Sequence, residues 1–208
     1  MKNRNFRTLK SLGQRQAGYT LVELAISVSI ISLLVVSSIA GVQGLLLANK
    51  VNRTLTQTTV ATANITKLIS ATNNAALTTT ELIALGAWDK SAVISATRVD
   101  NPFGGIIQVA PNFDKVGSYP ANSGYFYLIA GVPESHCASL VTSFYTTSPG
   151  IYINAATTGA LAVKNTPTVA TASYRVPGID DSLGNLTTSC GSGKGTAGLV
   201  EVALFIPT

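Results

Sequence analysis

Glu23 is an acid at the head of a run that otherwise excludes charge, because residues 24–49 contain no ionisable side chain. A carboxylate in an apolar segment costs up to about 3 kcal/mol on insertion scales, and acids kept there are usually functional and paired. The natural partner is an amine. The alternative is a glutamate that snorkels to the headgroups of a membrane surface.

The other residues that could do chemistry offer less. His136 beside Cys137 suggests a nucleophile or a metal ligand, yet one histidine and two cysteines, with Cys190 far along the chain, are too few for a closed zinc site. Gly193-Lys194 lies in a glycine-rich stretch, but a phosphate loop needs Ser or Thr after the lysine and Gly195 stands there. Asp180-Asp181 could meet a calcium ion, although adjacent acids point apart and read better as a solvated turn. Tyr125, Phe126 and Tyr127 could stack on bases. Tyr125 and Tyr127 would share one face of a strand, but no cluster of Lys or Arg accompanies them, so sheet packing is the better reading and direct nucleic-acid binding is not expected. No catalytic residue, metal set or cofactor site is expected, and the chain does not read as an enzyme.

Charge places these residues. Lys and Arg total 14 against 9 acids, but Lys2, Arg4, Arg7, Lys10 and Arg15 fall within the first eighteen residues, where no acid occurs, and the remainder is formally neutral. A phosphate-binding patch needs excess charge on the folded domain, whereas this excess sits in a leader-like segment. The uncharged run that follows is long enough to cross a bilayer as a helix. Positive charge before it predicts a cytoplasmic N-terminus and export of everything after Lys50. A conventional cleaved signal peptide is the competing reading, but its apolar core spans only about 7 to 15 residues. Two cysteines in an exported domain, Cys137 and Cys190, most simply form one disulfide, with two buried thiols as the alternative.

The elements that must hold these residues follow from periodicity. No proline occurs before Pro102, so a helix starting near Tyr19 or Thr20 should run past the membrane segment to the turn signal at Asn73-Asn74. Beyond Lys50, Val51, Leu55, Ala61, Ile65, Leu68 and Ile69 recur at helical intervals, among threonines that form helix poorly alone, so this half needs a sheet to pack on. Gly41 and Gly44, between the halves, suit either a soft point or close helix packing. A helical turn is expected over 81–88, a short helix over 133–145, and strands over 106–110, 125–130, 151–154, 160–163 and 199–206. Residues 155–172 and 191–198 read as exposed loops. The fold class is α+β: a long N-terminal helix, membrane-spanning then amphipathic, against an antiparallel sheet. Three segments are expected: a basic leader at 1–18, an apolar helix at 19–49, and the amphipathic half with a globular head at 50–208.

Gly18-Tyr19-Thr20-Leu21-Val22-Glu23-Leu24 resembles the processing site of type IV prepilins and type II secretion pseudopilins. The resemblance implies that a prepilin peptidase cuts after Gly18 and methylates the new amine of Tyr19. Glu23, then fifth in the mature chain, would pair with the Tyr19 amine of a neighbouring subunit and set axial register. Asn101-Pro102-Phe103-Gly104-Gly105 with the strand after it, and Val132-Pro133-Glu134-Ser135-His136-Cys137, resemble the type IVb branch less specifically, with Cys190 closing the variable loop. The implied role is a structural subunit of a surface filament serving adhesion, aggregation, motility or conjugation. Its implied partners are further copies in a helical filament, the peptidase and methyltransferase, an assembly platform with its ATPase, and the inner membrane before assembly. The implied location is the inner membrane for the precursor, with an external head, and the extracellular filament afterwards. A minor pilin or pseudopilin that primes or tips a fibre is the alternative within the family. A signal-anchored periplasmic binding module or enzyme is the alternative of another class, and it would need a cleft where titratable groups converge.

Overall fold

The computed structural model describes residues 18–72, 77–112, 115–155, 173–175, 183–192 and 198–208. The leader before Gly18, the Asn73-Asn74 turn, the strand expected at 160–163, Asp180-Asp181 and Gly193-Lys194 lie outside the described residues. Helix α1, Leu21–Thr72, runs for 52 residues, and the chain divides after Gly44 into two compact units.

In the first unit α1 is apolar on every side. Leu33 is 69% exposed and Val36 68%. The hydroxyls among them are satisfied locally: Ser27, Ser32, Ser37 and Ser38 each donate to the carbonyl four residues back, at 2.7 to 2.9 Å. No such hydroxyl needs water, which suits a helix destined for lipid or for the company of other helices. The helix passes through Gly41 and Gly44 unbroken, and both positions have open space around them.

The second unit is built on the amphipathic half of α1. Val51, Thr54, Thr58, Ala61, Ile65 and Ile69 form its buried stripe at three- and four-residue steps, while Leu55 and Leu68 pack at its margin. Two of the threonines therefore face the core rather than solvent. Thr54 tolerates this because its Oγ1 donates to the Lys50 carbonyl at 2.9 Å.

After α1 come α2 (Thr79–Ala84), β1 (Val93–Ser95), β2 (Arg98–Asp100), β3 (Ile106–Pro111), β4 (Gly124–Pro133), α3 (Glu134–Phe144), β5 (Gly150–Ala155), β6 (Ser173–Arg175), α4 (Leu183–Ser192) and β7 (Leu199–Pro207). The strands make one antiparallel sheet of seven in the order β1-β2-β3-β4-β7-β5-β6. The expected strands over 106–110, 125–130, 151–154 and 199–206 and the helix over 133–145 are all present. Two expectations need correction. The turn expected over 81–88 is a shorter helix that stops at Gly86, whose φ of 77° ends it, and the buried Ala87 and Trp88 follow as loop. The loop expected over 191–198 begins inside α4, where Gly191 and Ser192 are helical.

Alternation on β4 sorts its aromatic residues to opposite faces of the sheet. Tyr125, Tyr127 and Ile129 join the main core with α1, and Phe126 and Leu128 join a smaller cluster with Tyr152, Ala203 and Phe205. Tyr125 donates to the Thr62 carbonyl at 3.1 Å, and Trp88 Nε1 donates to the Tyr127 hydroxyl at 3.2 Å. Burial pushes Tyr125 up to about 12 and raises Tyr127 further. With exposures of 1% and 0% they pack the core and are closed to a base.

Candidate functional site: the head of the long helix

Gly18 and Tyr19 approach the helix as exposed, non-helical chain, with Tyr19 81% accessible. Thr20 caps the helix. Its carbonyl accepts from the Leu24 N–H at 3.1 Å, the first intrahelical bond, and its Oγ1 accepts from the Glu23 N–H at 3.2 Å, so one of the four orphan donors of the first turn is matched. Glu23 thus stands at the third helical position, where the positive end of the helix dipole favours an anion.

The same Thr-x-x-Glu spacing recurs at Thr78 and Glu81, and the two sites differ instructively. There the box is closed: the Glu81 carboxylate accepts from the Thr78 N–H at 2.7 Å and from its hydroxyl at 2.8 Å, and these bonds hold Glu81 below the usual carboxylate range. At the head of α1 only the threonine half is made. Glu23 is exposed, and among the described residues no group donates to its carboxylate. An anion at the rim of an apolar helix is left ready for a cation from elsewhere.

Cys137 on α3 and Cys190 on α4 are joined by a disulfide, with Cα atoms 5.8 Å apart and both residues buried. His136 does no work on a thiol: its Nδ1 lies 2.7 Å from the Ser135 hydroxyl and its ring is 6.4 Å from that of Phe103. A crosslink spanning 53 residues stabilises a fold by about 4 kcal/mol through the unfolded chain. Cys137→Ser should therefore lower the melting temperature of the detergent-solubilised chain by about 10 °C. Reductant should produce the same shift in the unmodified protein and none in the variant.

Asn101 is a positioning residue hidden from sequence reasoning except as part of a turn. A register shift between Ile129 and Val132 interrupts the pairing of β4 with β7, and the Asn101 amide reaches across to the Ala130 carbonyl inside that interruption at 2.7 Å. Its Oδ1 accepts from the N–H groups of Phe103 and Gly105 at 2.9 and 3.3 Å. One buried side chain thus locks the 101–105 turn to the bulge. The signal available in advance was an Asn before Pro ahead of a Gly pair.

Residues 13–39 match the family model for the prokaryotic N-terminal methylation motif, which covers Gly18, Tyr19 and Glu23. No curated protein matches the sequence. Among solved structures, a type IVb pilin from Salmonella typhi aligns at a TM-score of 0.51 and 22% identity, over 74% of this chain and 98% of that one. TcpA, a type IV pilin from the El Tor biotype of Vibrio cholerae, aligns at a TM-score of 0.51 and 18% identity, over 76% of this chain and 98% of its own. The chain is type IV pilin-like: it joins a prepilin methylation motif to the fold of these pilins.

Proposed function

We propose that this chain is a structural subunit of a type IV pilus of the IVb kind, made as a prepilin. Residues 1–18 are the leader, removed after Gly18 by a prepilin peptidase that methylates the Tyr19 amine. Residues 19–49 hold the precursor in the inner membrane and later line the filament core. Residues 50–208 form the head, exported and then displayed outside the cell. An assembly platform and its ATPase draw each subunit from the membrane into a growing homopolymer.

One observation carries the reading: a helix apolar on all sides begins with a single carboxylate that its own segment leaves unsatisfied. Lipid accommodates the sides of such a helix but does nothing for the acid, whereas a neighbouring copy supplies both apolar cover and, after cleavage, an amine. The head contributes structure, with its disulfide and buried aromatic residues serving stability.

Processing tests the first step. Gly18→Arg places a long charged side chain at the proposed scissile bond without touching the folded head, so the precursor should accumulate in the membrane and sheared filaments should vanish. N-terminal sequencing of filaments from the unmodified chain should begin at a methylated Tyr19. Filaments beginning at Met1 would disprove the leader assignment.

A further inference from the structure

A cleft of about 470 Å³ opens in the head between α1 and the segments flanking β1 and β2, within the size range of small-molecule sites. Arg53 and Asn52 line it from the helix, Asp89 and Ser91 from the chain after α2, and the half-exposed Val60 gives it an apolar patch. The third charged group of the cleft is engaged. Asp100, also on the rim, is held by Arg98 at 2.6 Å, and Gln57 donates to the Asp100 carbonyl at 3.0 Å. Arg53 and Asp89 are different: among the described residues neither has an ion-pair partner, and they bring opposite charges to one cleft.

Position along α1 says which molecule suits them. Asn49 ends the uncharged run, and Arg53 follows four residues later, about 6 Å along the helix axis. That is the depth of lipid phosphates if the run spans a bilayer. Asp89 lies farther out, because its segment runs from Ala87, which accepts from the Asn64 amide, to Ala92, which accepts from the N–H of Asp100 beside Gln57, and both levels lie beyond Arg53 on the helix. A phosphate close to the apolar run and an ammonium farther from it are the two ends of a phosphoethanolamine headgroup.

We propose that this cleft binds the headgroup of one zwitterionic phospholipid of the phosphatidylethanolamine class, with Arg53 on the phosphate and Asp89 on the ammonium. Asn52 and Ser91 supply neutral hydrogen bonds. The inference rests on the membrane-anchored reading of the precursor. The bound lipid belongs to that stage, when the subunit waits beside the bilayer surface.

The test is native mass spectrometry of the full chain ejected from nanodiscs holding equal phosphatidylethanolamine and phosphatidylglycerol. The unmodified chain should retain one phosphatidylethanolamine in preference to phosphatidylglycerol. Arg53→Gln should lower retention of both lipids, since both carry the phosphate. Asp89→Asn should lower phosphatidylethanolamine roughly tenfold, the loss of one charge-assisted contact, and leave phosphatidylglycerol unchanged. Equal retention of both lipids by the unmodified chain, or no effect of Asp89→Asn, overturns the inference. So does a lipid-free cleft in which Asp89→Cys is shielded from maleimide only inside filaments, because a second copy would then be the occupant. Failure of the chain to enter nanodiscs counts against membrane anchoring itself, a separate result from entry without lipid preference. Both side chains lie on the surface, so unchanged melting temperatures of the two variants confirm that folding is not what is being read.

Discussion

Glu23→Leu should leave a processed, folded, membrane-inserted subunit that makes no filaments. The substitution renders the helix head more apolar, removes nothing from the cap formed by Thr20, and lies outside the head unit. What it removes is the anion proposed to meet the Tyr19 amine of a neighbouring copy. A charge-assisted hydrogen bond contributes about 1.5 to 3 kcal/mol, and each 1.4 kcal/mol is tenfold in an equilibrium. Docking of a subunit should therefore weaken by roughly one to two orders of magnitude, and polymerisation repeats that loss at every step. Glu23→Gln keeps size and hydrogen-bonding capacity without the charge, so its filament yield should fall between the two. The measurement is sheared filament relative to processed membrane subunit. Normal yield from Glu23→Leu would remove the acid from assembly, and failure of processing or insertion would move its role to an earlier step.

Gly105→Ala should be the most damaging single methyl group among the described glycines of the head. A Cβ at this position would fall inside the Ala130 carbonyl, and the neighbouring Gly131 backbone blocks the retreat. That carbonyl is also the acceptor of Asn101, so relieving the clash pulls apart the bond that locks the turn to the bulge. Overpacking against backbone costs about 3 kcal/mol, or roughly 10 °C of melting temperature in a chain of this size. Gly104→Ala is the informative control: its φ of 90° disfavours a side chain but the space around it is open, so the loss should be about 1 kcal/mol. If the two variants melt together, close approach at Gly105 is not what the turn requires.

The helix and the central strands were readable in advance because their signals are long. An uncharged run followed by apolar residues at three- and four-residue steps has one structural solution, and β4 carries ten residues of which most are buried on one face or the other. The edges were not readable. β1 and β2 have three residues each and between them only Val99 is fully buried, so neither length nor alternation marks them. Helix α4 was missed for a different reason: Gly184, Gly191, Thr187, Thr188 and Ser189 all form helix poorly, and tertiary anchors at Leu186 and Cys190 override them. At the helix head, residue types were legible and geometry was not. The Gly18-Tyr19-Glu23 pattern could be read directly, whereas the half-made cap at Thr20 needed the Thr78 box beside it for contrast. The cleft of Arg53 and Asp89 had no linear signature, since its two charges are joined only by the fold.

The place of β7 has a bearing on the order of folding. It is the last strand along the chain, yet it lies inside the sheet, pairing Leu204 with Tyr127 of β4 on one side and with Ile151 of β5 on the other. Until it arrives, β4 and β5 have no partner at the centre, and each shows an open edge. The head therefore cannot close as it is synthesised. Closure of the sheet is timed by the arrival of β7, the strand that completes its centre.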